Sequence, residues 1–190
     1  MRPASASDLT VAHIRIARLL ETGAAEAFDA LLEEYGSEIQ TVAYLIVRDR
    51  LDAEDILAET LITAWQKGRD LREPAALRTW LLRIATNKAL LLRRSRSRIV
   101  PITEAAELTG PDSTDPSATR LAILAAVGEL PTEMRAAVVL RYYADLPVEE
   151  VARVLGKSPN TVKSQLRVAL ARMRTSFDRR TGQEGRRDVV

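Results

Sequence analysis

SPNTVKSQLRVALARMR, residues 158–174, reads as a capped, basic helix. Ser158 suits the N-cap and Pro159 the first helical position, where a missing N–H costs nothing. Lys163, Arg167, Arg172 and Arg174 follow without an intervening carboxylate. Upstream, 147–155 has the spacing of a shorter helix with Val151, Ala152 and Leu155 inward, and Gly156 supplies the turn. Two helices so joined form a helix-turn-helix, whose second member is shaped to enter a DNA major groove. The stretch predicts an all-helical chain that works on nucleic acid.

The formal charge of +2 over 190 residues conceals two basic patches. Between Arg83 and Arg98 lie six basic residues and no acid; between Lys157 and Arg180 lie seven against the single acid Asp178. Steering of a charged partner depends on such patches more than on the total. Cysteine is absent, which excludes disulfides, thiolate nucleophiles and cysteine-ligated zinc. The lone histidine, His13, is placed in an N-terminus expected to be mobile. Arg15 and Arg18 break the early apolar stretch, so neither signal peptide nor membrane insertion is expected, and a cytoplasmic protein follows. No glycine-rich phosphate loop or metal-ligand cluster occurs, and Glu54 and Asp55 are adjacent on a helix and point apart. An enzyme is therefore not expected, nor a cofactor.

Apolar residues recur at three and four throughout, which is helical periodicity. Two small helical domains are predicted, at 11–98 and 120–178, joined by a flexible acidic linker at 99–119. In the first, Ala27, Phe28, Leu31, Leu32 and Tyr35 mark an amphipathic helix, carried on by Ile39, Val42, Ala43 and Ile46 either directly or after a turn. Asp52 is placed as the cap of the next helix, with Ala53, Ile56, Leu57, Thr60, Leu61 and Ala64 inward. After a polar loop at 68–75, a long helix over 76–96 has Trp80, Leu81, Ile84 and Leu91 as core anchors. The linker holds Pro101, Gly110, Pro111 and Pro116 with Glu104, Glu107, Asp112 and Asp115 and no base. A further helix from Pro131 to Tyr143 precedes the helix-turn-helix.

In this order the pieces resemble an extracytoplasmic-function sigma factor, of the sigma-70 family of bacterial RNA polymerase. The motifs that carry the resemblance are AEDILAETLITAW at 53–65, RTWLLRIATNKALLLRR at 78–94, ELPTEMRAAVVLRYYADLPVEEVARVLG at 129–156 and TVKSQL at 161–166. It implies a protein that binds core polymerase, directs it to promoters and helps open the duplex. The partners it implies are core RNA polymerase (a coiled coil of the largest catalytic subunit and the flap of the second-largest), promoter DNA and, commonly, an anti-sigma protein.

By the resemblance, the first domain is sigma-2-like, and Asp52, Glu54, Asp55, Leu57, Glu59 and Leu61 form its polymerase-docking surface. Acids beside apolar anchors suit a basic, partly apolar partner, although Asp52, Glu54 and Asp55 also simply favour a helix N-terminus. Ala58 stands where the family usually has Gln. Arg78, Arg83, Asn87, Lys88, Arg93 and Arg94 are implied at the −10 promoter element, and Trp80 either fills the core or stacks on a base. The second domain is sigma-4-like, with Ser158, Asn160, Thr161, Lys163, Ser164 and Arg167 implied at the −35 element. Gln165, Val168 and Leu170 replace residues that are often basic, and Gln165 retains the groups to read adenine. The linker's carboxylates either mimic nucleic acid against a basic channel or keep a tether extended. The alternative is a helix-turn-helix regulator that acts without docking on polymerase, which leaves the first domain's motifs unexplained.

Overall fold

The computed structural model describes residues 6–71, 73–97 and 116–184, and within them every regular element is a helix. The first block comprises α1 (Ala6–Thr22), α2 (Glu26–Val47), α3 (Arg50–Lys67) and α4 (Leu77–Ser97). The second comprises α5 (Pro116–Gly128), α6 (Thr132–Val138) running into a π-helical turn at Val139–Tyr143, α7 (Val148–Leu155) and α8 (Pro159–Glu184). Of the predicted linker, 99–115 lie outside the described residues, while 116–119 form the first turn of α5 rather than linker.

Local chemistry sets the element ends. α2 is one continuous helix, closed by Arg48 in the left-handed region, whose N–H donates to the Tyr44 carbonyl at 2.7 Å. The cap of α3 is Asp49, not Asp52: its carboxylate accepts the Asp52 N–H at 3.0 Å. Asp52 is thereby the third helical residue, and its side chain is free to turn inward. α7 ends at Gly156 with φ +64°, where a side chain would meet no obstacle in space, so the backbone conformation alone calls for glycine.

Ile16 and Leu20 of α1 join Leu31, Ile39 and Ile46 of α2, Ile56 and Leu61 of α3, and Leu77, Leu81 and Leu82 of α4 in the interior. His13 is not in a loose terminus; its ring stacks on Tyr35 with centroids 5.8 Å apart. Trp80 packs partly buried against the core and Ile84 is half-buried, but Leu91 is 68% exposed, because the inward phase of α4 runs through Leu81, Ala85 and Ala89. In the second block Leu140, Val151, Val162 and Ala169 are fully covered. The apolar interiors of the two blocks form one contiguous cluster, with α2 and α4 packed on α6 and α7.

Two short 3₁₀ turns, at Gly68–Asp70 and Pro74–Ala76, carry the chain from α3 to α4. A Cβ on Gly68 would lie 2.5 Å from the Cβ of buried Leu20, so α1 is seated directly on this backbone. Gly68→Ala is expected to cost about 2 kcal/mol through overpacking, seen as a melting point lower by about 6 °C.

Candidate nucleic-acid interface

The recognition segment is built as its sequence suggests. Ser158 Oγ accepts the Thr161 N–H at 3.1 Å and lies 2.8 Å from Thr161 Oγ1. Val162, Leu166 and Ala169 are buried, which turns Asn160, Thr161, Lys163, Ser164 and Arg167 to solvent on one side of α8. Lys163 and Arg167, one turn apart, engage no other side chain among the described residues and are available to an anionic partner. Gln165 is half-buried with Oε1 covered, so it does not present a base-reading edge here. Val168 instead lines a groove against α5 with Ala126, Leu130 and Ala171.

The basic residues of α4 divide into two groups. Arg83 is exposed, on one face with the neutral Asn87. The rest are engaged or covered. Lys88 pairs with Glu59 of α3 at 2.9 Å. Arg78 pairs with Glu38 of α2 and also donates to the Ala144 carbonyl of the second block at 2.7 Å. Arg94 donates to Glu133 at 2.8 Å, and Lys157 donates to the same carboxylate at 2.5 Å. These two hydrogen bonds, from Lys157 first and Arg94 second, hold the Glu133 carboxyl below the usual carboxylate range. Arg93 is half-buried. Arg78 and Arg94 thus serve as ties between blocks in this arrangement.

On α3 two expectations are corrected. Asp52 is only 5% exposed and takes Arg96 in a bidentate pair, with Nη2–Oδ1 at 2.7 Å, so it is an internal strut and not a surface acid. Leu61 is 2% exposed and belongs to the core, and Leu57 packs against that core. Glu54, Asp55 and Glu59 are exposed, Glu54 beside Arg50. The apolar members of the outward face are Leu51, which is 72% exposed, Ile62 and Trp65. They line up with Asp55 and Ala58 at the 4-3-4-3 spacing 51, 55, 58, 62, 65, a phase readable from the sequence once the inward residues are known.

Among the described residues no acidic or histidine cluster suits a metal ion, and no helix is long and apolar enough to cross a membrane. A basic helix-turn-helix and a second basic helix, set on two packed helical blocks, offer positive surfaces suited to an anionic polymer. Comparison with known proteins makes this specific. The family described as sigma-70 region 2 matches residues 31–99, and sigma-70 region 4 matches 120–173. The ECF RNA polymerase sigma factor SigL of Mycobacterium tuberculosis (strain H37Rv) is 33% identical over 172 residues, covering 85% of this chain and 96% of that protein. The solved structure of CnrH in complex with the cytosolic domain of CnrY superposes with a TM-score of 0.66 at 26% identity, covering 88% of this chain and 97% of that one. The sigma factor RpoE, from a co-crystal with the anti-sigma factor NepR of Bartonella quintana, gives 0.64 at 22% identity, with coverage of 81% and 98%, and so shares the fold. The chain belongs to the extracytoplasmic-function sigma factors. Its function is that of an RNA polymerase sigma factor in promoter-directed transcription initiation, and sigma factors are not a class of enzymes.

Proposed function

We propose that the three exposed surfaces divide the work of initiation. Residues 11–98 hold core polymerase through the outward face of α3, where Asp55, Glu54 and Glu59 register a basic partner and Leu51, Ile62 and Trp65 supply the apolar grip. The partner surface is the coiled coil of the largest catalytic subunit. α4 then meets the −10 element, Arg83 and Asn87 from their exposed positions, Lys88 on exchanging Glu59 for a phosphate, and Arg78, Arg93 and Arg94 once the second block has moved off. Residues 120–178 take the flap of the second-largest subunit and present Ser158, Asn160, Thr161, Lys163, Ser164 and Arg167 to the −35 element. The segment 99–115 between the blocks lets both elements be gripped together.

The observation that carries this reading is the pair of unoccupied cations Lys163 and Arg167 on a capped, outward helix, joined in one chain to the acidic, apolar-studded α3. The chain itself makes and breaks no bonds in this account; opening costs unstacking of a few kcal/mol per step, which binding of the displaced strand repays. Its place of action is the bacterial cytoplasm, on the nucleoid. An anti-sigma protein is a further partner of the proposal, as the NepR complex of the Bartonella relative illustrates for that protein.

The test is run-off transcription from a genomic fragment library by core polymerase with and without the chain. Start sites that depend on the chain are expected, and their complete absence would overturn the reading. Arg167→Ala should leave core binding and folding intact, since the side chain is exposed and pairs with no side chain among the described residues. It should weaken initiation from promoters with an intact upstream element roughly tenfold, the worth of one good base or phosphate contact.

A further inference from the structure

Two guanidinium groups meet at Gly128 where the two blocks join, and that of Arg93 is near enough to act on one of them. Arg48, which closes α2, donates from Nη1 to the Leu124 carbonyl of α5 at 3.0 Å. It lies flat against Gly128: a Cβ there would come within 3.0 Å of the Arg48 Cζ. Arg135 of α6, only 4% exposed, donates from Nη1 to the Gly128 carbonyl at 2.8 Å. Arg93 of α4 is half-buried, and no side chain among the described residues engages it.

The α5 carbonyls, at the negative end of that helix, account for one donor each from Arg48 and Arg135. Much is left over, because each guanidinium carries five N–H groups. The Arg135 Nε is fully covered and has no partner. Burial first, then Arg93, then Arg48, bring the Arg135 guanidinium down to about 10, and no carboxylate counters them. Glu133, two residues away, is already committed to Lys157 and Arg94. Like charges partly withdrawn from water without a counter-ion are costly. Guanidinium forks, rather than ammonium groups, suit a planar or tetrahedral oxyanion.

We propose that this junction binds a small oxyanion of the phosphate class between Arg48, Arg93 and Arg135, and that the bound anion fastens the two blocks together. The ligand is small because the cluster sits between packed helices, where a duplex cannot enter without parting them. Arg93 also stands among the residues proposed for the −10 element, so anion and promoter compete for it. The inference rests on the packing of the blocks and not on promoter reading, so the two can fail separately.

The experiment is thermal unfolding of the full chain in sodium phosphate or pyrophosphate against sodium chloride at matched ionic strength, with a fluorophore pair reporting block separation. A saturable rise of about 4 °C with closer blocks is expected for the wild-type chain. Arg93→Gln should unfold no earlier than wild type in chloride, having lost a like charge, and should lose the phosphate-specific rise. Arg48→Gln should start lower, because its bond to Leu124 is gone, and should lose the same rise. A phosphate effect no larger than that of chloride, or one equal in Arg93→Gln and wild type, would overturn the proposal.

Discussion

Leu51→Asp combined with Ile62→Glu is expected to weaken binding to core polymerase by at least about 30-fold, the effect of losing hot-spot contacts of roughly 2 kcal/mol. Both side chains are exposed, so nothing in the interior loses a neighbour. An acid at position 51 also suits the first turn of α3, and Glu at 62 is a good helix former. Far-UV circular dichroism and melting point should therefore stay close to wild type while a competition assay with labelled wild-type chain registers the loss. Retained affinity would place the docking surface elsewhere and remove the apolar grip from the proposal. Charge reversal at Asp55 tests the electrostatic half of the same face, and its effect should shrink as salt rises.

Asp52→Ala should behave in the opposite way. Asp52 is buried against Arg96, so its loss is expected to destabilise the fold by about 2 kcal/mol. That corresponds to a melting point lower by roughly 6 °C. Arg96 is half exposed and can recover water, which keeps the cost below that of a fully enclosed pair. Polymerase affinity per folded molecule should not change. If Asp52→Ala instead abolished docking at unchanged stability, the acid would be reaching the partner, against its position here. Arg96→Ala should cost less than Asp52→Ala, and the double variant less than the sum, because the two share one interaction.

The parts legible in the sequence were those specified within a few residues. Ser158, Pro159 and Gly156 each satisfy a local backbone requirement, and the structure uses Ser158 and Gly156 as their types suggest. The inward stripe of α8 follows from spacing alone. The face of α3 was harder: Asp49 and Asp52 are both good caps, and only the inward pull of Arg96, 44 residues away, separates them. Taking Leu61 as an outward anchor set that face out of phase, although the same residue reads naturally as core. Leu91 failed for a related reason, since a leucine-rich helix end offers several phases and packing selects one. The ties between blocks were not legible at all. Arg78 reaches the Ala144 carbonyl across 66 residues, and a cation bound to a backbone carbonyl leaves no trace in residue type.

Glu133 has two claimants, Arg94 from one block and Lys157, which stands next to the cap of the recognition helix. Withdrawing Arg94 to a phosphate leaves the carboxylate wholly to Lys157 and alters the charge felt at the turn before α8. On the proposed division of surfaces, upstream and downstream promoter boxes would then be thermodynamically linked through one glutamate. Sequence changes in the two boxes should have non-additive effects on occupancy, and Glu133→Gln should bring them closer to independence.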